Sequence, residues 1–111
     1  MKGKIVLIPF PFTNLTADKL RPALGMFESE RDIVASFTSS RIPAQPSPTD
    51  VIVNEKHSEF EITGLKTGSV IRLDTMATIS KRLIIGEIGE IGRELKEEIN
   101  RKIVESFTFR F

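Results

Sequence analysis

The chain contains no cysteine, no tryptophan, no tyrosine and one histidine. Without cysteine there is no disulfide, no thiolate metal site and no cysteine nucleophile. That fits a reducing cytoplasm. With His57 as the one histidine, a histidine pair for acid–base work and a structural zinc site are both excluded. Charge of one sign is also lacking: 16 Lys and Arg stand against 15 Asp and Glu, a net charge of +1. A nucleic-acid site must therefore come from local clustering and not from a basic surface. Long hydrophobic runs are missing too. The longest early uncharged run, Ile5–Ala17, is broken by two prolines and falls far short of a membrane span. Lys2 and Lys4 precede it, but no small-residue cleavage site follows as a signal peptide requires. The expectation is a cytoplasmic protein without membrane association.

The 111 residues are 40% hydrophobic and 28% charged, which suits one folded domain spanning residues 1–111. Strand-like runs dominate the first half: "KIVLIPF", ended by Pro11, then "RPALGMFE" and "DIVASFT", separated by the charged turn Ser29–Asp32. Ser39–Asp50 holds three prolines among hydroxyl residues and reads as a long surface loop. "DVIVN" resumes as a strand, "TGLKTG" as a turn, and "SVIRL" as another strand, with "MATIS" a separate short segment. "RLIIGEIGEIG" is a strand that loses regularity at Gly86, Gly89 and Gly92, where bulging or a sharp bend is expected. From Arg93 to Phe107 glycine and proline are absent, and Leu95, Ile99, Ile103 and Phe107 recur every four residues. That spacing predicts an amphipathic helix over about 93–107 lying on the sheet. Short strands with one terminal helix imply a small, curved antiparallel sheet or barrel, a mainly β fold.

Few residues offer chemistry. His57 lies in the polar stretch "NEKHSEF" and reads as solvated. Glu87 and Glu90 fall on an irregular strand, and Asp74 reads as a turn or capping residue. No Gly-rich phosphate loop, nucleophile elbow or metal-binding helix appears, so no cofactor and no metal are expected. Arg21 precedes Pro22, which holds its backbone extended at a strand start. Its planar fork of donors suits a phosphate; the alternative is a surface ion pair with Asp18 or Asp32. Thr38 ends the run "VASFTSS", where a strand opens into the long loop. It is either a functional hydroxyl or an ordinary strand end.

Together these stretches resemble the PemK/MazF family, the toxin half of type II toxin–antitoxin pairs. The resemblance rests on "GKIVLIPFPFTNLTADKLRPAL", "IVASFTSS" and "SVIRLDTMATISKRLI" ahead of the C-terminal helix. It implies an SH3-like barrel, usually a homodimer, that cleaves single-stranded RNA without a metal until a cognate antitoxin protein blocks it. DNA would be met only through the toxin–antitoxin complex. The family's catalytic arginine and threonine match Arg21 and Thr38. Phe10 and Phe12 are expected to stack on bases, although one of them has the alternative of plugging the barrel's end. Thr13, Lys19, Ser39, Ser40 and Arg41 are expected to join them in binding substrate. A gyrase-poison-like inhibitor of the same fold, or an RNA-binding protein that has lost cleavage, are the rival readings.

Overall fold

A computed structural model describes residues 1–10 and 19–111. The elements are β1 (Lys4–Phe10), β2 (Lys19–Glu28), β3 (Asp32–Ser39), β4 (Asp50–Val53), α1 (Phe60–Thr63), β5 (Ser69–Ser80), β6 (Gly86–Glu90) and α2 (Arg93–Phe107). The strands form a six-stranded sheet in the order β4-β5-β3-β2-β1-β6, and every neighbouring pair is antiparallel. The sheet curls into a half-barrel with β4 and β6 at its edges. The fold is mainly β with one long C-terminal helix, as the strand-rich sequence implies.

β1 reads as an almost unbroken hydrophobic run because both of its faces are covered. Ile5 joins one core with Leu24, Val51, Val53, Ile71 and Leu73, closed by Leu95 and Ile99 of α2. Val6 and Ile8 join a second core with Ala23, Ile33, Ala35 and Ile79. Burying each such aliphatic side chain contributes roughly 1.5–3 kcal/mol. The α2 stripe packs through Leu95, Ile99 and Ile103 only. Phe107, expected on the same stripe, is 44% exposed.

Three further details depart from the linear reading. "MATIS" is no separate segment, since β5 is continuous from Ser69 to Ser80. Its register jumps from Thr38↔Ile71 to Ser36↔Met76, so residues 72–75 bulge out and bend the strand. Lys81–Leu83 form a 3-10 turn, so β6 begins only at Gly86. The expected bulge at the glycines is present there: Ile5 faces Gly89 and Val6 faces Glu87, leaving Ile88 extra. Phe60–Thr63, just before the expected turn, form the single-turn helix α1.

α1 covers the free side of β6 at van der Waals limits. Gly64 ends α1 in the left-handed conformation, φ 72°, and a Cβ there would lie 2.0 Å from the Ile88 carbonyl oxygen. Gly89 is held equally close, since its Cβ would meet Ile62 and Thr63 carbonyl oxygens at 2.3 Å. The start of α2 is pinned by a distant carboxylate. Glu59 accepts the N–H groups of Gly92 (3.1 Å), Glu94 (2.7 Å) and Leu95 (3.0 Å). These are donors that a helix N-terminus cannot satisfy internally, and the negative charge suits the helix dipole.

Gly64→Ala should therefore lose more than about 2 kcal/mol, combining left-handed strain with displacement of β6. Gly86→Ala, where a Cβ meets nothing within 4 Å, should change stability by less than about 0.5 kcal/mol. Urea unfolding of the pair measures the contrast, and equal midpoints would contradict the packing described. A second expectation concerns pH. Glu28 accepts a hydrogen bond from Lys81 Nζ (2.7 Å) and another from the Met1 ammonium group (2.7 Å). The Lys81 bond foremost, then the Met1 bond, lowers its carboxyl from 4.5 to about 2. A depressed carboxyl stabilises the fold above the unfolded value and loses that contribution as pH falls through the folded one. The stability gap between the protein and Glu28→Gln should be constant above pH 5 and vanish between pH 4.5 and about 2.

Candidate functional site

The site begins with a missing donor. Proline has no N–H, and Pro22 turns its carbonyl toward β3, where Thr38 Oγ1 donates to it at 2.9 Å. The last paired residues of the β2–β3 ladder are Ala23 and Phe37. Beyond them Pro22 cannot supply the next backbone donor, and the strands part. On its other side β2 stays paired with β1 through Leu7↔Pro22 and Ile8↔Arg21.

The opening is a cleft of about 610 Å³. Lys19, Leu20, Arg21 and Pro22 line it from β2, Thr38 and Ser40 from the end of β3. Gly64, Leu65, Lys66, Thr67 and Ser69 line it from the segment after α1, with Leu7 and Ile88 from the adjoining strands. Three of these residues are cations, Lys19, Arg21 and Lys66, and none is a carboxylate. An apolar wall with clustered cations and hydroxyls suits an anionic ligand that also carries flat apolar surface. Among the described residues, no three His, Asp or Glu side chains group so as to hold a metal ion.

Thr38 is buried at 7% exposure, whereas Arg21 is exposed. The threonine hydroxyl has one proton, and that proton is directed at the Pro22 carbonyl. Its oxygen lone pairs stay available as acceptors. Asp32, considered as an ion-pair partner for Arg21, begins β3 at the opposite end. Register places Arg21 alongside Ser39, so about 23 Å of strand separates the two. Asp18 lies outside the described residues.

The expected binding residues divide. Lys19 and Ser40 line the cleft with Arg21 and Thr38. Ser39 and Arg41 line a separate cavity beside Asp50, Val70 and Arg72, because successive residues of an extended strand point to opposite faces. Phe12, Thr13 and the Phe10 side chain lie outside the described residues. Lys66, Thr67 and Ser69 were not foreseen. Their only sequence signal is a basic and hydroxyl residue between the glycines of "TGLKTG"; the packing of Gly64 against β6 carries that segment to the cleft.

Other titratable groups have local roles. His57 is half-buried, not simply solvated: its Nδ1 accepts the Glu59 N–H at 2.9 Å and steadies the segment that caps α2. Asp74 accepts from Thr75 Oγ1 within the β5 bulge. Glu90 pairs with Lys4 at 2.8 Å, which holds its carboxyl below the usual range. None of these lines the cleft.

The model of PemK-like, MazF-like toxins of type II toxin–antitoxin systems matches residues 1–107. Among curated proteins none matches. Among solved structures, a Mycobacterium tuberculosis toxin, MazF-mt6, superposes with a TM-score of 0.72 at 18% identity, covering 97% of this chain and 99% of that one. An endoribonuclease in complex with its cognate antitoxin, from a mycobacterial species, gives 0.70 at 17% identity, covering 100% and 97%. An endoribonuclease from a mycobacterial species gives 0.68 at 19%, covering 96% and 89%.

The Thr38–Pro22 bond makes a structural prediction of its own. Thr38→Val keeps the shape but removes the side-chain hydrogen bond to the Pro22 carbonyl, and should cost about 1 kcal/mol in urea unfolding. Thr38→Ser retains the hydroxyl and should recover most of that loss. Equal stability of the valine variant and the parent would show that the bond contributes nothing.

Proposed function

The chain belongs to the PemK-like, MazF-like toxins of type II toxin–antitoxin systems, and on that premise we propose that it is a cytoplasmic endoribonuclease that cuts single-stranded RNA. It acts without a metal ion, as a homodimer, until a cognate antitoxin occupies it. The observation that carries this reading is the meeting of Arg21 and Thr38 in a cleft that, among the described residues, is lined by three cations and no carboxylate. A structural relative that is an endoribonuclease held by its cognate antitoxin supports it. No helix among the described residues is long and apolar enough to cross a membrane.

The residues suit a reaction in which RNA supplies its own nucleophile. The 2′-OH attacks the adjacent phosphorus and gives up its proton to solvent, the bond from phosphorus to the 5′-oxygen breaks, and that oxygen takes up a proton from solvent. The products are a 2′,3′-cyclic phosphate and a 5′-OH. Negative charge gathers on the non-bridging oxygens in the transition state, where the Arg21 guanidinium stabilises it most. Thr38 has its proton committed to Pro22, so it meets the substrate as an acceptor. It accepts a hydrogen bond from the 2′-OH and aligns that oxygen for attack, which makes it a positioning group for the nucleophile. Lys19 and Lys66 hold the flanking phosphates, and Phe10 and Phe12 stack on the bases.

Arg21→Ala should lower cleavage about 10²–10³-fold with its unfolding midpoint unchanged. Thr38→Ser should retain more activity than Thr38→Val. A single 2′-deoxy substitution at the nucleotide before the cut should abolish cleavage, and EDTA should have no effect. Mass spectrometry of the products decides the chemistry. A 3′-OH with a 5′-phosphate, or cutting of the deoxy-substituted bond, would show water as the nucleophile and overturn the mechanism. Full activity in Arg21→Ala would remove its central residue.

A further inference from the structure

One wall of the cleft has no strand or helix to hold it. Lys66 and Thr67 line the opening, yet residues 66–68 fall between α1 and β5. Upstream the chain is fixed at Leu65, which is buried in the core closed by α2 and donates its N–H to Thr63 Oγ1 at 3.2 Å. Downstream the anchor is a single carboxylate. Glu55 Oε2 accepts the Gly68 N–H at 2.8 Å and the Thr67 hydroxyl at 3.2 Å. The Gly68 N–H foremost holds this carboxyl below the usual range. Glu55 is itself set by the turn after β4, where the Asn54 side chain accepts the Lys56 N–H and its carbonyl the His57 N–H, both at 3.0 Å. Gly68 leaves room for the carboxylate, since a Cβ there would lie 2.6 Å from Glu55 Oε1. Glu55 does not line the cleft, and Lys66 has no ion pair among the described residues.

We infer that Glu55 is a positioning residue, which holds Lys66 at the cleft for the RNA strand without touching that strand. The inference rests on the nuclease reading above and extends it to a residue outside the site. A lysine on an unanchored loop loses backbone and side-chain freedom when it binds a phosphate. Fixing the backbone in advance removes part of that cost and strengthens binding. Glu55 does so from both sides of one peptide unit, through the Thr67 side chain and the Gly68 N–H, the two residues that follow Lys66. Charge alone argues the other way, because a carboxylate near the path of a polyanion repels it. Order and repulsion therefore predict opposite signs for the removal of Glu55.

The test measures the affinity of a 2′-fluoro-substituted single-stranded RNA, which cannot be cut by 2′-OH attack. Glu55→Ala should weaken binding about 3- to 10-fold, although it removes a negative charge. Glu55→Gln should bind at least as well as the parent, because both hydrogen bonds end on one oxygen and the amide retains an oxygen. Lys66→Ala should weaken binding by a similar factor, and adding Glu55→Ala to it should change little further, since both act through one contact. Gly68→Ala displaces the carboxylate with every charge in place and should match Glu55→Ala; it decides the matter where Glu55→Ala does not fold. Unchanged or tighter binding in these variants, while the parent protein binds and cuts RNA, overturns the positioning role and leaves the nuclease reading intact. Losses that add in the double variant overturn the route through Lys66. Failure of the parent protein to bind this RNA at low salt removes both readings.

Discussion

One absent hydrogen, the N–H that Pro22 lacks, shapes the mouth of the cleft between β2 and β3. In a continuous antiparallel ladder β2 and β3 would stay zipped to their ends, and no space would exist between Arg21 and Thr38. The last paired residues of that ladder are Ala23↔Phe37, and just beyond them the Thr38 hydroxyl donates to the Pro22 carbonyl. That side-chain bond compensates for the ladder bond that proline withholds, contributing about 1 kcal/mol. The same bond fixes which way the threonine proton points. A structural repair thus also sets the hydrogen-bonding role that the side chain has left to offer.

The rest of the cleft depends on a different contact, the approach of Gly64 to the Ile88 carbonyl. It closes the curl of the sheet without a seventh strand, since α1 covers the free side of β6 where another strand would otherwise pair. Lys66 and Thr67 reach the site only because this turn is pressed there. Farther along the chain, Glu59 ties the same region to α2 by three backbone hydrogen bonds. Residues 57–67 therefore couple the helix, the edge strand and the cleft in one connected segment.

Charge follows the same economy. A net charge of +1 gives no general affinity for nucleic acid, yet among the described residues the cleft gathers three cations without a carboxylate. The acidic side chains among the described residues lie elsewhere. Several of them pair along α2 and at the sheet rim, as with Glu97, Glu98 and Glu105 and with Glu28 and Glu90. Segregation of sign, with little net excess, focuses potential on one opening.

Periodicity alone carried much of the architecture. The continuous apolar run of β1 reports a strand covered on both faces, and the four-residue spacing of Leu95, Ile99 and Ile103 reports a helix with one buried stripe. Arg21 and Thr38 were legible because a proline and a run of hydroxyl residues are local signals, and family resemblance tied them to one chemistry. Tertiary structure decided what spacing cannot encode. Phe107 continues the stripe in sequence but is largely exposed. Ser39 and Ser40 look equivalent in "TSS", yet strand alternation sends them to different cavities. Lys66 joined the site through the clearance between a glycine and a carbonyl far along the chain. Local patterns depend on the geometry of one element and are written in consecutive residues. A cleft depends on the distances between elements, and those are set only when the sheet has curled and its two cores have packed.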